Sequence, residues 1–168
     1  MKGASLMSPP TMNHPAPVPA GRDRFAGDSL MIWGLLPLSI KLSGRDTGGQ
    51  VLLFEHNGVR GGGPPRHVHF TQDEWFYVIK GHFAFEVGAQ AHRLGAGDTL
   101  FAPRGVPHGW VHVGEEPGTL LTLVSPVGKF EAFILDTTRH PTLPPPADVE
   151  RAFADHDMQV VGPPLDVA

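Results

Sequence analysis

From about Ser29 onward, the apolar residues fall into short runs divided by turn residues, with the alternation expected of strands. Leu30–Gly34 and Leu35–Leu42 read as strands, the second ending at Ser43-Gly44. Asp46-Thr47-Gly48-Gly49 then makes a turn before a strand over Gln50–His56. The loop Gly61-Gly62-Gly63-Pro64-Pro65 has no regular structure in this reading. Further strands are predicted at Glu74–Ile79, His82–Val87, Ala91–Leu94, Thr99–Ala102, His108–Val113 and Thr119–Ser125. Lys80-Gly81, Gly88-Ala89, Gly95–Gly97 and Glu115–Gly118 punctuate them. Strands spaced by about 8–12 residues predict a β-sandwich or barrel. The absence of alternating helices speaks against a parallel α/β sheet.

Only one stretch reads as helical. In Ala147–His156, Val149, Ala152 and Phe153 share a face, with Pro144–Pro146 ahead of it. A last short strand is expected at Met158–Val161. The organisation that follows is a flexible N-terminal tail over residues 1–24, a β-barrel domain over 25–140, and a C-terminal helix and tail over 141–168 packing on the barrel. There is no internal repeat, and Met7 or Met12 could serve as the start as well as Met1.

Composition narrows the partners. The 21 glycines and 18 prolines among 168 residues suit tight turns between short strands. A formal charge of −4 gives no footprint for nucleic acid, and no run of Lys/Arg suggests a membrane surface. With no cysteine, a disulfide framework and a thiolate metal site are both excluded. The first residues lack the apolar core of a signal peptide, and Leu30–Ile40 is too short for a membrane span. The expectation is a soluble, cytoplasmic protein of one domain whose partner is a small molecule.

Ten histidines remain as candidate ligands. His67 and His69 stand two apart, so on an extended chain both imidazoles point the same way, about 6.5–7 Å apart along the strand. Glu74 lies five residues beyond His69, an offset that an unbroken strand would send to the other face. A turn through Thr71-Gln72-Asp73 would reset the phase and bring Glu74 inward, with Phe76 and Val78 on its face and Trp75 and Tyr77 opposite. His108 follows the stiff bend Pro103-Arg104-Gly105-Val106-Pro107 and could supply a third imidazole. Three imidazoles and one carboxylate suit one divalent Fe, Mn, Co, Ni or Zn ion with positions open to water or substrate.

These segments resemble the two motifs of the cupin superfamily. Gly61 through Gly81 matches G-x5-H-x-H-x4-E-x6-G at every fixed position, and Gly97 through His108 matches G-x5-P-x-G-x2-H. The gap between them, His82 to Ala96, is 15 residues, as in compact microbial cupins. Where the second motif usually ends in Asn, this chain has His112. The resemblance implies an all-β fold, the cupin double-stranded β-helix or jelly-roll barrel, here with a short C-terminal helix. It also implies a metal held by His67, His69, Glu74 and His108.

The phrases Gly63-Pro64-Pro65-Arg66-His67-Val68-His69, Asp73–Val78 and Phe101–His108 are similar to the quercetin-dioxygenase-like single-domain cupins. That similarity implies a metal-dependent dioxygenase acting on a small aromatic or enolisable substrate. Glu74 would be the catalytic base, and Phe76, Val78, Trp110 and His112 would line the substrate pocket. His112 is expected in a supporting or surface role rather than as a fifth ligand. The alternatives are a non-catalytic module that binds metal or a small ligand, and a metal-dependent isomerase or hydrolase of a small polar substrate. Arg66 and Arg104 read as ion-paired surface residues, Asp98 as a residue of the Gly97 turn, and His56 is given no role. A homodimer, using the Leu30–Leu42 region, is the expected assembly.

Overall fold

The computed structural model describes residues 17–167, except Ala26 and Val59. Eleven strands and two helices follow in the order β1 (Leu30–Ile32), β2 (Leu36–Leu42), β3 (Leu52–Gly58), β4 (Pro65–His69), β5 (Asp73–Lys80), β6 (Phe83–Val87), β7 (Gln90–Leu94), β8 (Thr99–Ala102), β9 (His108–His112), β10 (Gly118–Ser125), α1 (Phe130–Thr137), α2 (Pro146–Asp155) and β11 (Met158–Pro164). They form two antiparallel sheets facing each other, ordered β1-β2-β3-β10-β5-β8 and β11-β4-β9-β6-β7. This is the jelly roll that the cupin resemblance implies, and a β-sandwich as the strand spacing predicts, with the inner faces of the central strands turned between the two sheets.

The strict two-residue period of burial shows why these segments are strands. Leu52, Phe54 and His56 on β3, Phe76 and Val78 on β5, and Leu120, Thr122 and Val124 on β10 all point inward, while their neighbours are half-exposed. Among the described residues the apolar core divides in two. One part gathers Leu38, Ile40, Phe54, Phe133 and Phe153 under the helices, and the other gathers Phe76, Val78, Phe83, Phe85 and Leu120 at the far end.

A second helix departs from the single one expected. In α1, Phe130, Phe133, Ile134 and Thr137 fall on one face and are buried. In α2, Pro146 opens the helix, where its missing N–H costs nothing, and Phe153 is its buried residue. The chain then returns as β11, pairing Met158 with His69 and Val160 with His67. The C-terminal segment therefore braces the strand that carries two of the candidate ligands.

The expected tail over residues 1–24 lies, for its first sixteen residues, outside the described residues. Beyond them the chain is bound to β2: Asp23 accepts the Ile40 N–H at 2.7 Å, and Lys41 Nζ donates to the carbonyls of Pro19 and Arg22. No helix among the described residues is long and apolar enough to cross a membrane.

Candidate metal centre

Each of the four candidate ligands is placed by an identifiable local feature. β4 stays extended through His69, so His67 and His69 both turn into the barrel. The chain then bends through Phe70–Gln72, and β5 restarts with Glu74 inward. His108 opens β9 directly across from His67. Two contacts tie the motifs together. The Gly105 N–H donates to the His69 carbonyl at 2.8 Å, and the Arg104 guanidinium grips both oxygens of Asp73 at 3.0 and 2.7 Å. Gly63, on the approach to β4, passes so close to β9 that a Cβ there would lie 2.1 Å from the Trp110 carbonyl oxygen.

The structure thus brings His67, His69, Glu74 and His108 together from both sheets. One donor atom of each lies within 4.8 Å of every other, and all four residues are buried. The proton positions decide what such a cluster can do. A carbonyl oxygen only accepts, so His67 Nδ1 must donate to Pro65 (2.8 Å) and His108 Nδ1 to Val106 (3.0 Å). His69 Nδ1 faces Gln72 Oε1 at 3.4 Å. The Nε2 atoms are therefore left to face the centre.

His67 Nε2 and His69 Nε2 stand 3.1 Å apart. Burial holds the His67 imidazole neutral down to about 3, helped by the His108 and His69 charges, and burial likewise lowers His69. Two neutral imidazoles with both protons on Nδ1 would aim lone pairs at each other, which is unfavourable unless a cation lies between. With metal–nitrogen bonds of about 2.0–2.1 Å, a separation near 3 Å is that of two adjacent ligands on one ion.

On the opposite side, His108 Nε2 lies 2.8 Å from Glu74 Oε2. Burial opposes charge on His108, but the hydrogen bond and charge of Glu74 outweigh it and raise its pKa. Burial also pushes Glu74 up, yet the His69, His108 and His67 imidazoles together bring it down to about 2. Glu74 is thus an ionised ligand-type carboxylate in its resting surroundings. Its Oε1, 3.7 Å from His69 Nε2, is the freer oxygen. The four residues can hold a metal ion, and their donors fit a divalent transition metal.

The cluster opens onto a cavity of about 720 Å³. His67 and Glu74 form part of its wall, and the rest is mainly apolar, with the rings of Trp33, Phe54, Phe76, Trp110, Phe130 and Phe133 set among aliphatic and proline residues. Of the four expected lining residues, Phe76 and Trp110 are there. Val78 and His112 are not. Each stands four residues along its strand from a ligand, about 13 Å at the strand rise. Val78 packs in the far core beside Phe83 and Leu120, and His112 is fully buried against Phe83, ring centroids 4.9 Å apart. His112 is neither at the surface nor in the pocket. Arg66 pairs with Glu86 at 3.1 Å, Arg104 with Asp73, and Asp98 accepts the Gly95 N–H at 2.8 Å.

His56 is the site residue that sequence reasoning passed over. It lies on the inner face of β3, 5% exposed, on the cavity wall, with its ring 4.9 Å from that of Trp110. The signal was present: Leu52, Phe54 and His56 keep the inward two-residue period. Burial lowers its pKa to about 4, against the raising effects of the Pro37 carbonyl and Glu74.

Because the unfolded chain protonates this imidazole near 6.5, its contribution to stability is present above pH 6.5 and is lost as pH falls toward about 4. The size is about 3 kcal/mol. Urea unfolding at pH 7 and 4.5 should show a decline to which the buried His67 and His69 also contribute, and His56→Gln should reduce it by the His56 share; a decline unchanged in the variant would assign the acid sensitivity to the other histidines.

Comparisons with known proteins agree with this fold. Residues 59–124 match the model of the cupin domain. An uncharacterized protein of Streptomyces coelicolor is 31% identical over 56 residues, a match spanning 33% of this chain and about half, 53%, of the relative. Among solved structures, KdgF from Halomonas sp. aligns with a TM-score of 0.54 and 23% identity, over 65% of this chain and 94% of its own. An RmlC-like cupin from Shewanella frigidimarina gives 0.52 and 22%, over 66% and 93%. The protein TT1209 from Thermus thermophilus gives 0.50 and 25%, over 55% and 84%. Residues 59–124 thus match a cupin domain, and the solved structures share the fold of this chain.

Proposed function

We propose that the protein is a metal-dependent dioxygenase acting on a small aromatic or enolisable substrate, in the manner of the quercetinase-like cupins. The observation that carries this reading is the junction of a buried three-histidine, one-carboxylate cluster with a mainly apolar cavity that includes the rings of Phe54, Phe76 and Trp110. A divalent ion held by His67, His69, Glu74 and His108 would supply Lewis acidity, making a hydroxyl or enol bound beside it more acidic.

The chain's own residues do the rest. Phe54, Phe76 and Trp110 hold a flat apolar ring and exclude water. Glu74, ionised in these surroundings, would accept the proton of the substrate oxygen at Oε1. Both atoms of O₂, the co-substrate, would enter the ring-cleaved product. Apolar walls weigh against the alternative of an isomerase or hydrolase of a polar substrate.

The test is oxygen uptake by metal-loaded protein with flavonols, catechols and 1,3-diketones. Uptake matched to substrate loss is expected. A stoichiometric absorbance change without uptake would replace this reading with a non-catalytic binding module. Glu74→Gln is expected to lower kcat by about a hundredfold or more, the usual range for a lost general base, while most of the metal remains bound. Unchanged kcat in the loaded variant would remove Glu74 from proton transfer.

A further inference from the structure

Away from the four ligands, the same cavity carries two polar side chains that neither metal binding nor packing accounts for. His56 Nδ1 lies 3.1 Å from the Pro37 carbonyl oxygen and must carry the proton it donates. Its Nε2 therefore holds a lone pair, and no hydrogen bond to it is found among the described residues. Thr122 lines the cavity from β10, is 1% exposed, and its Oγ1 has no hydrogen-bond partner. A buried hydroxyl left unpaired costs about 1–3 kcal/mol, so it stands as a group waiting for a partner.

The register places the two side by side. His56 pairs with Leu120 on β10, and Thr122 pairs with Phe54 on β3, so His56 and Thr122 are diagonal neighbours on the inner face. Diagonal positions are about 7–8 Å apart, and Thr122 Oγ1 makes no bond to His56, which suits two oxygens of one ligand between them. Thr122 also stands opposite Phe76, whose strand carries Glu74 two residues away.

We propose that His56 and Thr122 form a recognition pair for an aromatic ligand bearing two neighbouring oxygens. A ligand hydroxyl donates to His56 Nε2, and a second oxygen, hydroxyl or carbonyl, receives the Thr122 hydroxyl. This deepens the reading of the cavity as an aromatic-substrate site and rests on it. Because His56 is acceptor-only at this nitrogen, a ligand with an ether or a bare ring edge in that place leaves the lone pair buried and unpaired. The pair therefore selects polyhydroxylated rings over bare ones.

The experiment is equilibrium binding of quercetin and of unsubstituted flavone to chelator-treated protein, followed by tryptophan quenching from Trp33 and Trp110. Wild type should prefer quercetin. His56→Leu should lose about tenfold in quercetin affinity with flavone affinity kept, because flavone has no hydroxyl to donate, and Thr122→Val should lose several-fold in quercetin affinity, as expected for one hydrogen bond each. Thr122→Val changes almost no volume, so it decides the matter if His56→Leu fails to fold. Quercetin preference undiminished in both folded variants would overturn the recognition pair while leaving the cavity reading intact. Failure of wild type to bind either probe would overturn both.

Discussion

Replacing His67 and His69 together by alanine is expected to reduce bound metal from about one ion per chain to near none, a loss of more than about a thousandfold in affinity. The two Nε2 atoms are 3.1 Å apart and supply half of the ligand set. Even partners that only orient a ligand are worth about 10–100-fold in metal affinity, and these two imidazoles would be direct ligands. The metal should also appear as stability, because an ion bound only by the folded chain at about a thousand times its Kd contributes about 4 kcal/mol. For a chain of this size that is about 8–16 °C in Tm. Adding a chelator should therefore lower the wild-type Tm by about that amount and leave the double variant unmoved. Elemental analysis of untagged protein purified without chelator gives the direct reading. A fully loaded double variant would show that the ion is held elsewhere, and the proposed chemistry would go with it.

Phe153→Ala is expected to destabilise the fold by about 3–5 kcal/mol, the cost of emptying a buried phenyl site. Phe153 is the buried residue of α2, 3% exposed, and its ring packs 4.9 Å from Phe133, 5.5 Å from His67 and 6.4 Å from Trp33. It fastens the C-terminal helix onto the face of the candidate metal centre. The strand that follows pairs with β4 and fixes its direction. The urea midpoint should fall while the slope of the transition stays the same. Metal retention should weaken as well, because His67 loses the wall that orients its ring. A loss under about 1 kcal/mol would mean that α2 does not hold the site.

Elements whose information is local were legible. Thr99–Ala102 is the strand expected, because Gly97 and Pro103 bound it on both sides. β3 begins two residues later than expected, at Leu52. The turn holds on through Thr47 Oγ1, which accepts the Val51 N–H and donates to the Val51 carbonyl. α1 was missed although Phe130, Phe133, Ile134 and Thr137 carry its period. It is only eight residues long and has no side-chain cap, so its helical state depends on packing against Trp33 and Phe153.

The residues themselves, through period, turn chemistry and motif spacing, determined that the chain is an antiparallel β-fold and that two histidines, a glutamate and a third histidine face inward. Within one strand the direction of a side chain follows from parity, and the turn after His69 and the bend before His108 set the phase of the strands that carry Glu74 and His108. Depth does not follow from parity. Parity gives His112 and Val78 the same inward face as His108 and Glu74, and only the closed barrel puts them at its other end, packed against Phe83. Likewise no spacing in the chain connects His56 to Trp110 or Thr122. Their meeting in one cavity is a product of sheet register and of two sheets closing on each other, and those are properties of the tertiary structure.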